Sequence, residues 1–198
     1  MMDLLDIDFD YEPSYYKLTP KLWYLPDFWL PDLEVWLEVK GEPFLDADSL
    51  AKVLAAVAGP NPIPSRNRPH GPSQAIIFGG DIHPSPSGTH PVHTMVTNGG
   101  NQEAILSRCR IVAGGFEPGV VFDIRKADGC PAAKNPTAKE RHLLLGSWTR
   151  EGKTPDRVHQ AYEVASKAKF RDNGELELTG LPEAVHNRRG GRWIPSGI

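Results

Sequence analysis

Cysteine is scarce in this chain: of 198 residues, only Cys109 and Cys130 carry a thiol. Two cysteines make no disulfide framework, and a reducing cytoplasm is the expected compartment. Long apolar runs are missing as well. None approaches the ~20 residues that a membrane-spanning helix needs. The N-terminal stretch MMDLLDIDFDYEP lacks the basic segment of a secretory signal. No internal repeat is visible. Positive charge is nearly absent from the first quarter: residues 1–48 hold twelve Asp and Glu against three Lys, a net of −9, while the remainder carries +6. Bulk charge therefore excludes a typical basic nucleic-acid binder. It suits a carboxylate cluster able to take a cation, set beside a basic surface able to meet phosphates.

What is present fits one soluble domain with a real core, at 39% hydrophobic and 24% charged residues. Nineteen Gly and nineteen Pro predict much loop. Phe9 to Glu12 reads as a short strand ended by Pro13. Trp23 to Leu30 reads as a second strand, interrupted at Pro26 and hence expected at a sheet edge or bulged. Pro31-Asp32 reads as a turn. Leu33 to Lys40 alternates, with Leu33, Val35, Leu37 and Val39 on one face and Glu34, Trp36, Glu38 and Lys40 on the other. A helix follows, capped by Asp46 or Asp48 and stopped at Gly59-Pro60, with Leu50, Val53, Leu54 and Val57 at helical spacing. Gln74 to Phe78 is a short apolar strand. Val92–Thr97, Ile105–Ala113 and Val120–Ile124 read as strands of a small β insertion. TPDRVHQAYEVASKAKFRDNG reads as a helix capped by Thr154, with Pro155 in its first turn and Gly174 at its end. Its inner face is Val158, Ala161, Tyr162, Ala165 and Ala168. The fold class is α/β, a mixed sheet flanked by helices.

The chemistry concentrates in LPDFWLPDLEVWLEVKGE. Glu38 and Lys40 share a face of one strand, and pairing with the preceding strand brings Asp27 within reach of Glu38. Two close carboxylates repel and raise a proton affinity unless a cation lies between them. A divalent ion with oxygen ligands answers that repulsion, and Mg²⁺ takes one or two carboxylates together with waters and substrate phosphate. Lys40, beside such an ion, would orient water or stabilise charge developing on phosphorus. The plainer readings are an Asp27 bonded to its local backbone and a solvated Glu38–Lys40 face.

Pro26-Asp27, ten intervening residues, then Glu38-Val39-Lys40 resembles the signature of the PD-(D/E)XK nuclease superfamily, the restriction-endonuclease-like fold. The longer string YLPDFWLPDLEVWLEVKGE resembles a branch found in actinobacterial phages and their hosts. The resemblance covers residues 9–82, and QAYEVASKAKF is similar to a helix that follows the variable region in that branch. It implies metal ligation by Asp27, Glu38 and the Val39 carbonyl, water activation by Lys40, Mg²⁺ or Mn²⁺ as cofactor, DNA as substrate, and the cytoplasm of a bacterial host. The implied organisation is a nuclease-like core over 1–82, a variable loop and β insertion over 83–150, a C-terminal helix over 151–175 and a flexible tail over 181–198. A homodimer or a phage protein partner is compatible with it, and a membrane is not.

The sequence departs from the family in one place. Members open with a helix of the kind R-S-x-x-E-A-R-W, whose Glu supplies a further ligand. Only about eight residues precede the first strand here, two turns at ~1.5 Å per residue. Three readings stay open: a start assigned too late, which the similarity of LLDIDFDYEP to the helix–strand join favours; a degenerate copy that binds DNA or a phage protein without cutting; or a substitute ligand such as Glu12.

Other candidates read more plainly. Trp23, Trp29 and Trp36 are expected in the core or covering the sheet rather than stacking on bases. His83, His90 and His93 match no compact zinc spacing and read as exposed loop residues. Cys109 and Cys130 read as free buried thiols. Lys52, Arg66, Arg68, Lys167 and Arg171 are weak candidates for phosphate contact. Glu34 reads as rim charge.

Overall fold

The computed structural model describes residues 1–40, 45–65, 74–78, 91–127, 136–144, 147–148, 156–167, 169–170 and 176–177. Twelve strands occur among them: β1 (Asp10–Tyr11), β2 (Tyr16–Thr19), β3 (Leu22–Tyr24), β4 (Phe28–Leu30), β5 (Val35–Val39), β6 (Gln74–Phe78), β7 (Pro91–Asn98), β8 (Glu103–Val112), β9 (Gly115–Lys126), β10 (Ser147–Trp148), β11 (Lys169–Phe170) and β12 (Leu176–Glu177). The helices are α1 (Ala47–Ala58), α2 (Ala138–Leu144) and α3 (Asp156–Lys167), with 3-10 turns at Met2–Leu5 and Pro31–Leu33. None of the described helices is long and apolar enough to cross a membrane.

One mixed sheet runs β1-β4-β5-β6-β7-β8-β9, with β10 paired to the start of β7. Only β5 and β6 run parallel, Trp36 opposite Ala75 and Val39 opposite Phe78. That pairing needs a crossover, and α1 lies within it. Asp46 caps α1 by accepting from the Ser49 N–H at 2.7 Å, and the Gly59 N–H closes the last turn on the Ala55 carbonyl. A side chain at Gly59 would meet the Ala55 carbonyl at 2.5 Å, so the stop demands glycine there.

Two layers cover the sheet. On one face α1 buries Leu50, Val53, Leu54 and Val57 against Trp29, Trp36, Val96 and Leu106. On the other, the Met2–Leu5 turn and α3 bury Leu5, Val158, Ala161 and Tyr162 against Leu30, Val35, Leu37, Met95 and Cys109. Arg157 on α3 ties the layer together, bonding the Leu4 carbonyl and pairing with Asp6. The stripe Val158, Ala161, Tyr162 is the inner face the helical spacing implied, whereas Ala165 is only half-buried. Thr154, Pro155, Ala168, Gly174 and the 181–198 tail lie outside the described residues.

Several expectations give way. The Trp23–Leu30 strand is two strands in two sheets: β3 pairs with β2 in a separate hairpin, and β4 pairs with β5. Pro26 and the backbone around it break the ladder between them. β4 is not at the edge either, because β1 flanks it. The turn before β5 is longer than Pro31-Asp32, since Glu34 takes the left-handed conformation (φ 51°) and closes on the Pro31 carbonyl. The three strands of 83–150 form no small insertion; β7, β8 and β9 continue the main sheet. β9 runs twelve residues, more than twice the expected length. Helix α2 was not expected, although Thr137 and Glu140 form a reciprocal N-terminal box legible as T-x-x-E.

Candidate active site

The β4–β5 pairing sets Phe28 opposite Leu37. One step outward along the same antiparallel register, Asp27 faces Glu38. Trp36 and Glu38 share the face toward α1, as the alternation requires, but that face is not solvated. Glu38 is 3% exposed, and both faces of β5 are buried until Val39. The aromatic and aliphatic layers on either side drive this burial, so the carboxylate enters the interior only with partners.

It has three. Tyr24 donates its hydroxyl to Glu38 Oε2 at 2.7 Å, the Asp27 backbone N–H donates to the same oxygen at 3.4 Å, and the Lys40 ammonium lies 2.5 Å from Oε1. Asp27 in turn accepts the Val39 N–H on Oδ2 at 2.7 Å. The two strands thus exchange bonds side chain to backbone, which locks Asp27, Glu38 and Lys40 into one cluster. Burial first, then the Glu38 charge, pushes the Asp27 carboxyl up to about 6; the Val39 N–H and Lys40 oppose that rise without cancelling it. Burial and the same Glu38 charge hold the Tyr24 phenol well above its ordinary range, so it remains a donor at neutral pH.

In comparisons with known proteins, no family model, curated protein or solved structure matches the chain.

The donor set fits a hard divalent cation. The carboxylate oxygens of Asp27 and Glu38 are hard donors, and the Asp27 carboxyl, raised first by burial and then by the Glu38 charge, would be lowered by a cation beside it. Glu12 lies beside this pair. Its backbone N–H donates to the Asp27 carbonyl at 2.8 Å, its carboxylate adds to the field that raises Asp27, and its Oε1 accepts the Tyr11 hydroxyl at 3.0 Å. Among the described residues, however, no three His, Cys, Asp or Glu side chains gather closely enough to hold a metal by themselves. Glu12 is a neighbour of the pair rather than a converged third ligand.

The remaining candidates disperse. Lys52 lies half-buried on α1, close enough to the Asp46 cap to act on its charge. Lys167 ends α3 and pairs with Glu163 at 2.6 Å. Arg66, Arg68, Arg171, His83, His90 and Cys130 lie outside the described residues. His93 is not exposed: it is buried and hydrogen-bonded to the Tyr162 hydroxyl. Cys109 is the buried free thiol expected of it. Trp29 and Trp36 are core, whereas Trp23 is 54% exposed. Sequence reasoning missed Tyr24. It lies three residues before Asp27, but its role depends on β3 leaving the main sheet, which no local pattern announces.

Proposed function

We propose that this protein is a Mg²⁺-dependent DNA endonuclease that hydrolyses phosphodiester bonds in a phage or mobile-element setting in a bacterial cytoplasm, with a restriction-endonuclease-like core. The single observation that carries the reading is the cluster of Asp27, Glu38 and Lys40, with the Asp27 carboxyl raised to about 6. Random strand charges point to water, whereas Glu38 is buried with Asp27 and Lys40 half-buried against it. Asp27, Glu38 and the Val39 carbonyl would hold the ion, which supplies Lewis-acid polarisation of the phosphoryl group and a more acidic water. Val39 N–H fixes the direction of the Asp27 carboxylate. Tyr24 and the Asp27 N–H fix Glu38. Lys40, whose ammonium pairs with Glu38, would stabilise negative charge developing on phosphorus.

The test is cleavage of plasmid and branched DNA by the purified protein in Mg²⁺ or Mn²⁺. Wild type cuts, and Lys40→Ala, with its circular dichroism unchanged, does not; equal cutting by the variant removes Lys40 from the mechanism. A second reading has its own support. Both Glu38 oxygens are already engaged by protein donors, and among the described residues no third acid converges on the pair. Those features suit a module of the same core that binds DNA or a phage protein without cutting. Calorimetry separates the two, because that module takes up neither Mg²⁺ nor Mn²⁺ at millimolar concentration.

A further inference from the structure

The β2–β3 hairpin has two unlike faces. Its register sets Tyr16 opposite Tyr24 and Lys17 opposite Trp23. The inner face is built into the protein: Leu18 is 1% exposed, Tyr16 packs edge-on against Trp36, and Tyr24 holds Glu38. The outer face is bare. Tyr15 is 66% and Trp23 54% exposed, Lys17 and Lys21 are exposed, and the Lys17 ammonium lies 5.5 Å from the centre of the Trp23 ring. An indole in water on a short hairpin forgoes the burial that Trp29 and Trp36 obtain nearby. The charge pattern sharpens the point. The first 48 residues contain three cations among twelve acids; Lys17 is on this face, Lys21 is exposed in the hairpin turn beside it, and the third is Lys40, paired with Glu38.

We propose that Tyr15, Lys17, Lys21 and Trp23 form a platform for single-stranded DNA, with the indole stacking on a base and the lysines meeting the flanking phosphates. The inference deepens the nuclease reading and rests on it for the choice of DNA. Flat aromatic faces interleaved with ammonium groups are what an unpaired polynucleotide engages, since every base offers a π face and each phosphate a charge. An acidic peptide would use the lysines and leave the ring faces idle. Two lysines beside two aromatics are weak attraction for an anionic bilayer, at about 1 kcal/mol per cation. Elsewhere in this segment the acids repel a polyanion. Trp23 and Tyr24 are successive residues on one strand and point to opposite faces, so DNA held outside the hairpin has the hairpin's thickness between it and Glu38, and an unpaired strand must pass the hairpin edge to reach the carboxylates. The substrate class that follows is DNA with an unpaired segment, such as a flap or a branch.

The experiment uses the full chain, a fluorescent oligodeoxythymidine, low salt and EDTA, so that binding is read without metal chemistry. Wild type binds, Trp23→Ala weakens binding about five- to a hundredfold, and Trp23→Phe recovers most of it. Lys17→Ala and Lys21→Ala flatten the salt dependence by about 0.7 in log–log slope for each phosphate left without its lysine. All four positions are on the surface, so the thermal melt of each variant matches wild type. Equal binding by Trp23→Ala and wild type overturns the platform, and so does capture of an acidic peptide or anionic vesicles in preference to the oligonucleotide. Failure of the platform is distinguishable from failure of the nuclease reading. Wild type that cuts duplex DNA as well as Trp23→Ala does, with equal oligonucleotide binding, loses the platform alone. Wild type that binds through Trp23 and never cuts in Mg²⁺ loses the nuclease alone.

Discussion

At the scale of single residues, the protein solves one problem: a carboxylate, Glu38, in the interior. Removing such a charge from water costs several kcal/mol, on the order of what well-placed partners must return. Lys40, Tyr24 and the Asp27 N–H return it from three directions. Tyr24 has a specific share. Because its phenol stays protonated, Tyr24→Phe deletes a donor to a charged acceptor and nothing of the ring. The expected loss is about 1.5–3 kcal/mol in urea unfolding at neutral pH. If the pocket holds a divalent ion, Mn²⁺ affinity measured by calorimetry also falls, roughly ten- to a hundredfold, because a group that orients a ligand has gone. Unfolding and Mn²⁺ titration curves that both overlay wild type would reduce Tyr24 to packing. The Asp27–Glu38–Lys40 trio was legible in the sequence because strand alternation and a tight connection suffice to bring the three together. Tyr24 was not, because its contact depends on where a separate two-stranded hairpin folds.

At the scale of elements, the informative helix is α3, a C-terminal element that covers the sheet face opposite α1 together with the Met2–Leu5 turn. The capping and periodicity of its sequence announced a helix, and the Val158, Ala161, Tyr162 stripe announced a buried face. What it packs against was not announced, since helix and partners lie far apart along the chain. The seam contains His93, bonded to the Tyr162 hydroxyl and facing Cys109 across the β7–β8 ladder. Burial drives the His93 pKa down to about 3 and pushes the Cys109 thiol up to about 12, so both groups are neutral in the folded protein. The unfolded chain protonates His93 near its ordinary value of about 6.5. Between those limits the unfolded state binds the extra proton, so stability is complete above about pH 6.5 and falls steadily as pH drops toward 3. Urea unfolding at pH 7 and pH 4.5 reads this directly. Wild type loses stability across the interval, and the double variant His93→Leu/Tyr162→Phe, which removes the titrating group and its partner together, loses distinctly less. The same acid sensitivity in the double variant would place the cause elsewhere.

At the scale of the molecule, the sequence suggested a compact core followed by an insertion, and the physics of the sheet argues for one unit. Strand β6 cannot stand as an edge with its neighbour removed, because β7 pairs with it from Gln74–Thr97 to Ile77–Thr94, and β8 pairs along β7 in turn. Helix α1, from before residue 82, packs on Val96 and Leu106 from beyond it. The division was tempting because residues 83–150 alternate less cleanly and are rich in turns, which local patterns read as irregular even where the strands are long. Cooperativity follows from the shared core. Leu106→Ala in β8 removes a fully buried side chain from the layer under α1, at a cost of about 2–5 kcal/mol. Trp36→Ala in β5 cuts into the same layer, at about 3–5 kcal/mol. Each substitution is expected to move one and the same guanidinium transition, seen alike by far-ultraviolet dichroism and by tryptophan fluorescence, whose buried reporters Trp29 and Trp36 both lie in the first half. An independent insertion would behave otherwise. Leu106→Ala would then lower part of the dichroism change and leave the fluorescence midpoint in place, and that split would restore the boundary near residue 82.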